Sequence, residues 1–115
     1  MAGALIVDDD AALRLLCRVN LELEGFTVRE AASIVEAESA VAAERPDVVL
    51  LDVHLEGEQT HDLLARLRSA GIPVALVTGS VEIDDYRDAA DAVIPKPFEP
   101  RDLVDTARRL ARVSP

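Results

Sequence analysis

Five polar residues stand at the ends of short apolar runs. Asp8 and Asp9 follow Ala4-Leu5-Ile6-Val7, Asp52 closes Val48-Val49-Leu50-Leu51, Thr78 follows Ile72-Pro73-Val74-Ala75-Leu76-Val77, and Lys96 comes just after Ala92-Val93-Ile94. Brought together, they offer three carboxylates, a hydroxyl and an ammonium. Crowded carboxylates repel: two unit charges about 4 Å apart cost on the order of 4 kcal/mol at an effective dielectric of 20. Such a group must share protons, pair with Lys96 or bind a cation. Hard oxygen ligands in an incomplete protein cage suit Mg²⁺, with Mn²⁺ as a substitute, because Mg²⁺ keeps waters and takes oxygens from a phosphate. An Asp carboxylate can attack phosphorus and carry an acyl phosphate. The expected roles follow: Asp52 as nucleophile, Asp8 and Asp9 on the metal, Thr78 on a phosphoryl oxygen and Lys96 as compensating charge. Taken singly, each residue has an ordinary explanation as a helix cap, a turn residue or a solvated lysine. Their placement at four strand ends carries the case.

The elements that must position them alternate along the chain. Four consecutive apolar residues before Asp52 suit a strand buried on both faces, as in a parallel sheet covered by helices. The runs at Ala4–Val7, Ile72–Val77 and Ala92–Ile94 read the same way, whereas Phe26-Thr27-Val28-Arg29-Glu30 alternates like a half-exposed edge strand. Helices are expected over about Ala11–Glu24, from the Ser33-Ile34-Val35-Glu36 capping box to before Arg45-Pro46, over Thr60–Ala70, and over Pro100–Arg112. Asp9 or Asp10 caps the first of these, and Gly25 and Gly71 end the first and third. Leu63, Leu64 and Leu67 line the third helix inward, as Leu103, Ala107, Leu110 and Ala111 line the last. The acidic stretch from Val81 to Ala90 allows at most a short helix. Five β units alternating with helices give an α/β fold with one five-stranded parallel sheet and helices on both faces. The flavodoxin-like order 2-1-3-4-5 sets strands 1 and 3 side by side, where ligands gather at the switch point. The edge strand is expected to contribute nothing to the site.

The first helix carries more apolar surface than one face needs. Leu13, Leu16, Cys17 and Leu21 form one stripe, and Leu15, Val19 and Leu23 a second. One must face the sheet. The other packs on a neighbouring helix or serves as a docking surface for a partner's helices. Cys17 reads as a core residue, since no basic cluster is evident that would activate a thiol.

The 115 residues suit one domain, half hydrophobic and 30% charged, with a formal charge of −10. That charge argues against nucleic acid as a partner, because phosphate contacts need clustered Lys and Arg. No run of the ~20 apolar residues of a membrane span occurs, Met1-Ala2-Gly3 lacks a signal peptide's charged start, and a single cysteine fits a reducing compartment. A cytoplasmic protein with no membrane partner is expected.

These features resemble the receiver domain of two-component response regulators across the whole chain, 1–115, with no output domain expected in it. The matching residues are Leu-Ile-Val-Asp8-Asp9-Asp10, Val-Val-Leu-Leu-Asp52, Val-Thr78-Gly and Lys96-Pro97-Phe98, in order and near the family's spacing. The resemblance implies that Asp52 accepts a phosphoryl group from a sensor histidine kinase or a phosphotransfer protein. It implies Mg²⁺ held by the side chains of Asp9 and Asp52, the backbone carbonyl of His54, and Asp8 through water. It also implies a cis Lys96–Pro97 peptide. Such a module would pass phosphate along a relay, act as a phosphate sink or bind a downstream protein on phosphorylation, and would not be an enzyme beyond its own phosphorylation and dephosphorylation.

The departures from the family pattern are specific. Glu56 stands where the family usually has Pro, Gln59-Thr60 replace Asp-Gly, and Val93 occupies the aromatic switch position. Lys96 follows Thr78 by 18 positions, about one helical turn fewer than usual. Together with Leu-Asp52-Val-His-Leu-Glu-Gly57-Glu58 and Gly71-Ile72-Pro73, these departures look like the "FAT GUY" subgroup of receivers found with HWE and HisKA2 kinases, although Ser80 replaces its aromatic. Tyr86 is a candidate substitute for the mobile aromatic. His54 and Ser80, each two residues beyond a site residue, fall where the family tunes access of the hydrolytic water. His61 reads as an ordinary helix-start residue, and Arg101, Arg108, Arg109 and Arg112 as a basic face of the last helix, solvated by default or else a contact surface for an acidic partner.

Two other classes compete. A pseudo-receiver would keep the fold as a pure interaction domain without phosphoryl turnover, which Val93 favours and the intact acceptor site opposes. A metal-dependent phosphohydrolase with an Asp nucleophile would resemble the haloacid dehalogenases, but Asp52-Val53-His54 lacks their second Asp. Neither G-x-x-x-x-G-K-[ST] nor G-x-G-x-x-G occurs, which argues against nucleotide binding.

Overall fold

The computed structural model describes residues 2–52, 60–79 and 90–111. Five parallel strands form one sheet: β1 (Gly3–Val7), β2 (Thr27–Ala31), β3 (Val48–Asp52), β4 (Val74–Thr78) and β5 (Ala92–Pro95), in the order β2-β1-β3-β4-β5. The described helices are α1 (Ala11–Leu23), α2 (Ile34–Ala43), α3 (Thr60–Ser69) and α4 (Pro100–Ala111). This is the expected flavodoxin-like arrangement. The expected short helix within Val81–Ala90 falls almost wholly outside the described residues, as do His54, Ser80, Tyr86, Arg112 and the side chain of His61.

Strand residues alternate between two apolar layers. Leu5, Val7, Val49, Leu51, Val74 and Leu76 face Ile34 and Ala37 of α2 and Leu63, Leu64 and Leu67 of α3. Ala4, Ile6, Val48, Leu50, Ala75 and Val77 face Cys17 and Leu21 of α1 and Leu103, Val104 and Ala107 of α4. Both faces of β3 and β4 are therefore covered, and every residue of the two strands is buried. This explains why they read as unbroken apolar runs rather than alternations. The edge strand β2 is mixed, with Thr27 exposed and Val28 buried.

The helix ends follow local chemistry. Asp10 caps α1, its carboxylate accepting from the Ala12 and Leu13 N–H groups. At α2 the Ser33 hydroxyl accepts from the Glu36 N–H at 3.1 Å, and Glu36 reaches back to the Ala32 N–H at 3.2 Å. The box is real, though its return bond falls one residue upstream of the cap. At the other end of α2, Arg29 of β2 donates to the terminal carbonyls of Ala40 and Glu44. Gly25 and Gly71 follow α1 and α3 with φ of 93° and 76°, the left-handed conformation that a side chain disfavours.

One apolar assignment on α1 is corrected. The sequence pattern groups Leu16 in one stripe with Leu13, Cys17 and Leu21, but Cys17 and Leu21 are buried while Leu16 is exposed. The contact face is centred on Cys17 and Leu21, and adjacent residues of a helix are rotated by about 100°. Leu16 therefore joins Leu15, Val19 and Leu23 in one solvent-facing apolar stripe, with Leu15 58% and Leu23 79% exposed. The stripe does not pack on a neighbouring helix of the domain among the described residues.

Candidate functional site

Strand register brings the polar strand ends together. Val7 pairs with Leu51, so Asp8 and Asp52 follow in step on adjacent strands, which run about 4.8 Å apart. Asp52 pairs with Val77, and Thr78 with Pro95, which sets Thr78 and Lys96 at the same edge. The Lys96 N–H donates to the Thr78 carbonyl at 2.7 Å, and the Lys96–Pro97 peptide is cis. A methyl group on Gly79 would meet the Lys96 Cβ at 3.3 Å, so glycine after Thr78 permits this close approach.

Carboxylate oxygens of Asp8, Asp9 and Asp52 lie within 4.8 Å of one another. Asp8 and Asp52 are each only 4% exposed, while Asp9 faces solvent. The Lys96 ammonium stands 3.5 Å from Asp52 Oδ1. Thr78 is completely buried. Burial pushes the Asp8 carboxyl up to about 6; the Asp10 N–H opposes this, while the charge of Asp52 and a hydrogen bond to it add to it. Without a cation, the Asp8 carboxyl thus holds its proton more readily than an ordinary aspartate does. Burial is also the main reason the Cys17 thiol is pushed up to about 12, in line with an inert core residue.

The carboxylate group fits Mg²⁺. The three carboxylates already lie within 4.8 Å of one another, close enough for one small cation to draw them together. All donors are hard oxygens, and the exposure of Asp9 leaves one side open for water or phosphate. Asp8, Asp9 and Asp52 would hold the ion; the His54 carbonyl lies outside the described residues.

Across residues 4–108 the sequence matches the model of the response regulator receiver domain. The chain belongs to that family. It is 34% identical over 116 residues to the phosphate regulon transcriptional regulatory protein PhoB of Pseudomonas aeruginosa, covering 94% of this chain and 51% of that protein. It is 36% identical over 113 residues to the DNA-binding response regulator MtrA of Mycobacterium tuberculosis, covering 94% and 50%. The chain thus spans about half the length of the curated relatives it matches. Among solved structures, the receiver domain of NtrX from Brucella abortus superposes with a TM-score of 0.87 at 29% identity, covering 96% of this chain and 99% of that one. A CheY-like receiver from Methanospirillum hungatei superposes at 0.88 with 32% identity, covering 97% and 94%. Aspartate phosphorylation and Mg²⁺ binding are typical of receivers.

The charge of −10 describes this receiver's own surface. MtrA, of which the chain covers only 50%, is named as a DNA-binding response regulator, so acidity here does not exclude nucleic acid for a protein that carries such a domain. For the membrane, no described helix is long and apolar enough to cross one.

The edge strand, expected to be silent, does contribute. It offers no ligand, but the Ala31 carbonyl accepts the Asp8 N–H at 3.0 Å, and Glu30 pairs with Arg14 of α1 at 3.1 Å. Arg14 in turn donates to the Asp8 carbonyl at 2.7 Å. Sequence reasoning passed over Arg14 and Glu30. The available signal was Arg14's position three before Cys17 and seven before Leu21, on the inward stripe of α1, where a charged group requires a partner.

Proposed function

We propose that Asp52 accepts a phosphoryl group from the phosphohistidine of a kinase or phosphotransfer protein, and that this chain works as a phosphorylation-controlled signalling receiver. A carboxylate oxygen of Asp52 attacks phosphorus, the P–N bond breaks, and the donor imidazole takes the electron pair and then a proton. Lys96, 3.5 Å from Asp52, balances the charge gathering on the transferred group. Thr78, buried at the end of β4, supplies a hydroxyl for one phosphoryl oxygen. Mg²⁺, when bound, would supply neutralising positive charge for the transfer. Asp8, Asp9 and Asp52 would hold that ion, with the His54 carbonyl assigned by family resemblance. The observation that carries the reading is the buried Asp52 facing two further carboxylates and one ammonium at the sheet's switch point. The chain is read as a phosphoacceptor, whose only catalysis concerns its own phosphate, in a cytoplasmic relay.

The exposed stripe Leu15, Leu16, Val19 and Leu23 supports docking of a partner's helices beside the site. The FAT GUY-like residues Gly57, Glu58 and Gly71-Ile72-Pro73 favour an HWE or HisKA2 kinase as that partner. Phosphate would then pass to another relay protein, end in a sink, or switch binding of a downstream protein. The test is intact mass after incubation with acetyl phosphate, with and without Mg²⁺, for wild type and Asp52→Ala. A single Mg²⁺-dependent adduct lost in the variant supports the reading. Absence of an adduct both there and with the cognate kinase refutes it in favour of the pseudo-receiver. That second reading draws on Val93, a half-buried aliphatic residue of β5 at the family's aromatic switch position.

A further inference from the structure

Asp9 is the least constrained member of the carboxylate group. It is exposed, and its side chain has no hydrogen bond or ion pair of its own among the described residues. The point from which its side chain starts, and the rotamers open to it, are therefore set by the backbone that carries it. The peptide between Asp8 and Asp9 is planar, so fixing the Asp8 carbonyl fixes the plane from which the Asp9 Cα departs. That carbonyl accepts from Arg14 Nη1 at 2.7 Å. On the other side of Asp8, the N–H is tied to Ala31 at 3.0 Å and the carboxylate to the Asp10 N–H at 2.8 Å.

Arg14 is itself held. Its side chain is only 17% exposed, and its Nε donates to Glu30 Oε1 at 3.1 Å. The second oxygen of Glu30 accepts from Arg18 Nη1 at 2.9 Å, and Arg18 Nε reaches Glu22 at 3.2 Å. Arg18, and behind it Arg14, hold the Glu30 carboxyl below its ordinary range, so the anchor stays ionised. The guanidinium is planar with donors in fixed directions. It can face a carboxylate on β2 and a carbonyl of the β1–α1 turn together. An ammonium, a point charge on a flexible stem, does not fix both directions.

We infer that Arg14 is a positioning residue for the cation site: clamped by Glu30, it fixes the Asp8 carbonyl and so aims Asp9 at the ion. The inference rests on the reading of Asp8, Asp9 and Asp52 as that site. Groups that orient metal ligands commonly change metal affinity 10–100-fold when removed.

The test is Mn²⁺ affinity, from the free-ion electron paramagnetic resonance signal, with Mg²⁺ as competitor. Wild type, Asp9→Asn, Arg14→Ala, Arg14→Lys, Glu30→Ala and Arg18→Ala are compared well below their unfolding temperatures, with far-ultraviolet circular dichroism confirming the fold. Arg14→Ala should weaken binding by about tenfold or more. Arg14→Lys, which keeps the charge, should not restore it. Glu30→Ala, which leaves Arg14 in place but unanchored, should weaken it severalfold, and Arg18→Ala by less than about twofold. Should Arg14→Ala fail to fold, Arg14→Lys and Glu30→Ala decide the question. Wild-type affinity in these variants overturns the inference, as does full rescue by lysine, which would leave only a charge effect. If wild type itself binds no Mn²⁺, or Asp9→Asn binds as well as wild type, the cation-site reading fails and the inference falls with it.

Discussion

Replacing Asp8 with Asn should stabilise the metal-free domain at neutral pH while removing its response to Mg²⁺. The Asp8 carboxyl is raised from its ordinary 3.8 to about 6, chiefly by burial, with the charge of Asp52 adding to it. The folded protein therefore holds this proton more tightly than the unfolded chain. Stability from that proton is fully present below about pH 4 and is lost as the pH rises toward 6. At about 1.36 kcal/mol per pH unit, the ionised form costs on the order of 3 kcal/mol at pH 7.5. Asparagine removes the charge yet keeps an oxygen to accept the Asp10 N–H, now bonded at 2.8 Å. In EDTA at pH 7.5 the variant should thus gain up to about 3 kcal/mol, roughly 10 °C in Tm for a domain of this size. Near pH 4 the gain should shrink to roughly half a kcal/mol. Excess Mg²⁺ should close the gap from the other side, since about 100-fold excess over Kd stabilises wild type by about 2.7 kcal/mol and leaves the variant unchanged. Urea unfolding at both pH values, with and without Mg²⁺, measures all of this. A variant less stable than wild type at pH 7.5 in EDTA, or a gain undiminished at pH 4, would refute the reasoning.

Other substitutions separate the remaining roles. Lys96→Ala removes the ammonium 3.5 Å from Asp52 and should slow phosphorylation at least tenfold without unfolding the domain; unchanged rates would remove its assigned role. Thr78→Ala should still accept phosphate but lose the spectral response to a phosphoryl mimic, which chemical-shift mapping checks. Val19→Asp, on the exposed stripe of α1, should slow transfer from the cognate kinase about tenfold while leaving acetyl phosphate labelling intact; equal slowing of both would point to damage of the fold instead.

The strand ends were legible because a strand buried on both faces leaves a continuous apolar run, so the first polar residue after it marks the edge of the sheet. Asp8, Asp52 and Thr78 sit where that logic puts them, and the parallel register does the rest. The phase of α1 was less legible. With leucines at 13, 15 and 16, the helical period fits more than one face, and only contact with the sheet selects Cys17 and Leu21 over Leu16. Arg14 and Glu30 were invisible for another reason. Their pairing joins a helix to the edge strand across 16 positions of chain, and neither belongs to a local motif. Chemistry at strand ends is written locally in the sequence, whereas the clamp behind it exists only in the folded protein.

The most direct test of the central claim is to find which carboxylate carries the phosphate. Wild-type protein labelled with acetyl phosphate and Mg²⁺ is reduced with borohydride, which converts an acyl phosphate to the alcohol, and the peptides are read by tandem mass spectrometry. Homoserine at position 52, absent when Mg²⁺ is withheld, is the predicted result. Homoserine at position 8 or 9 instead, or a phosphorylated protein with Asp52 unreduced, would contradict the account.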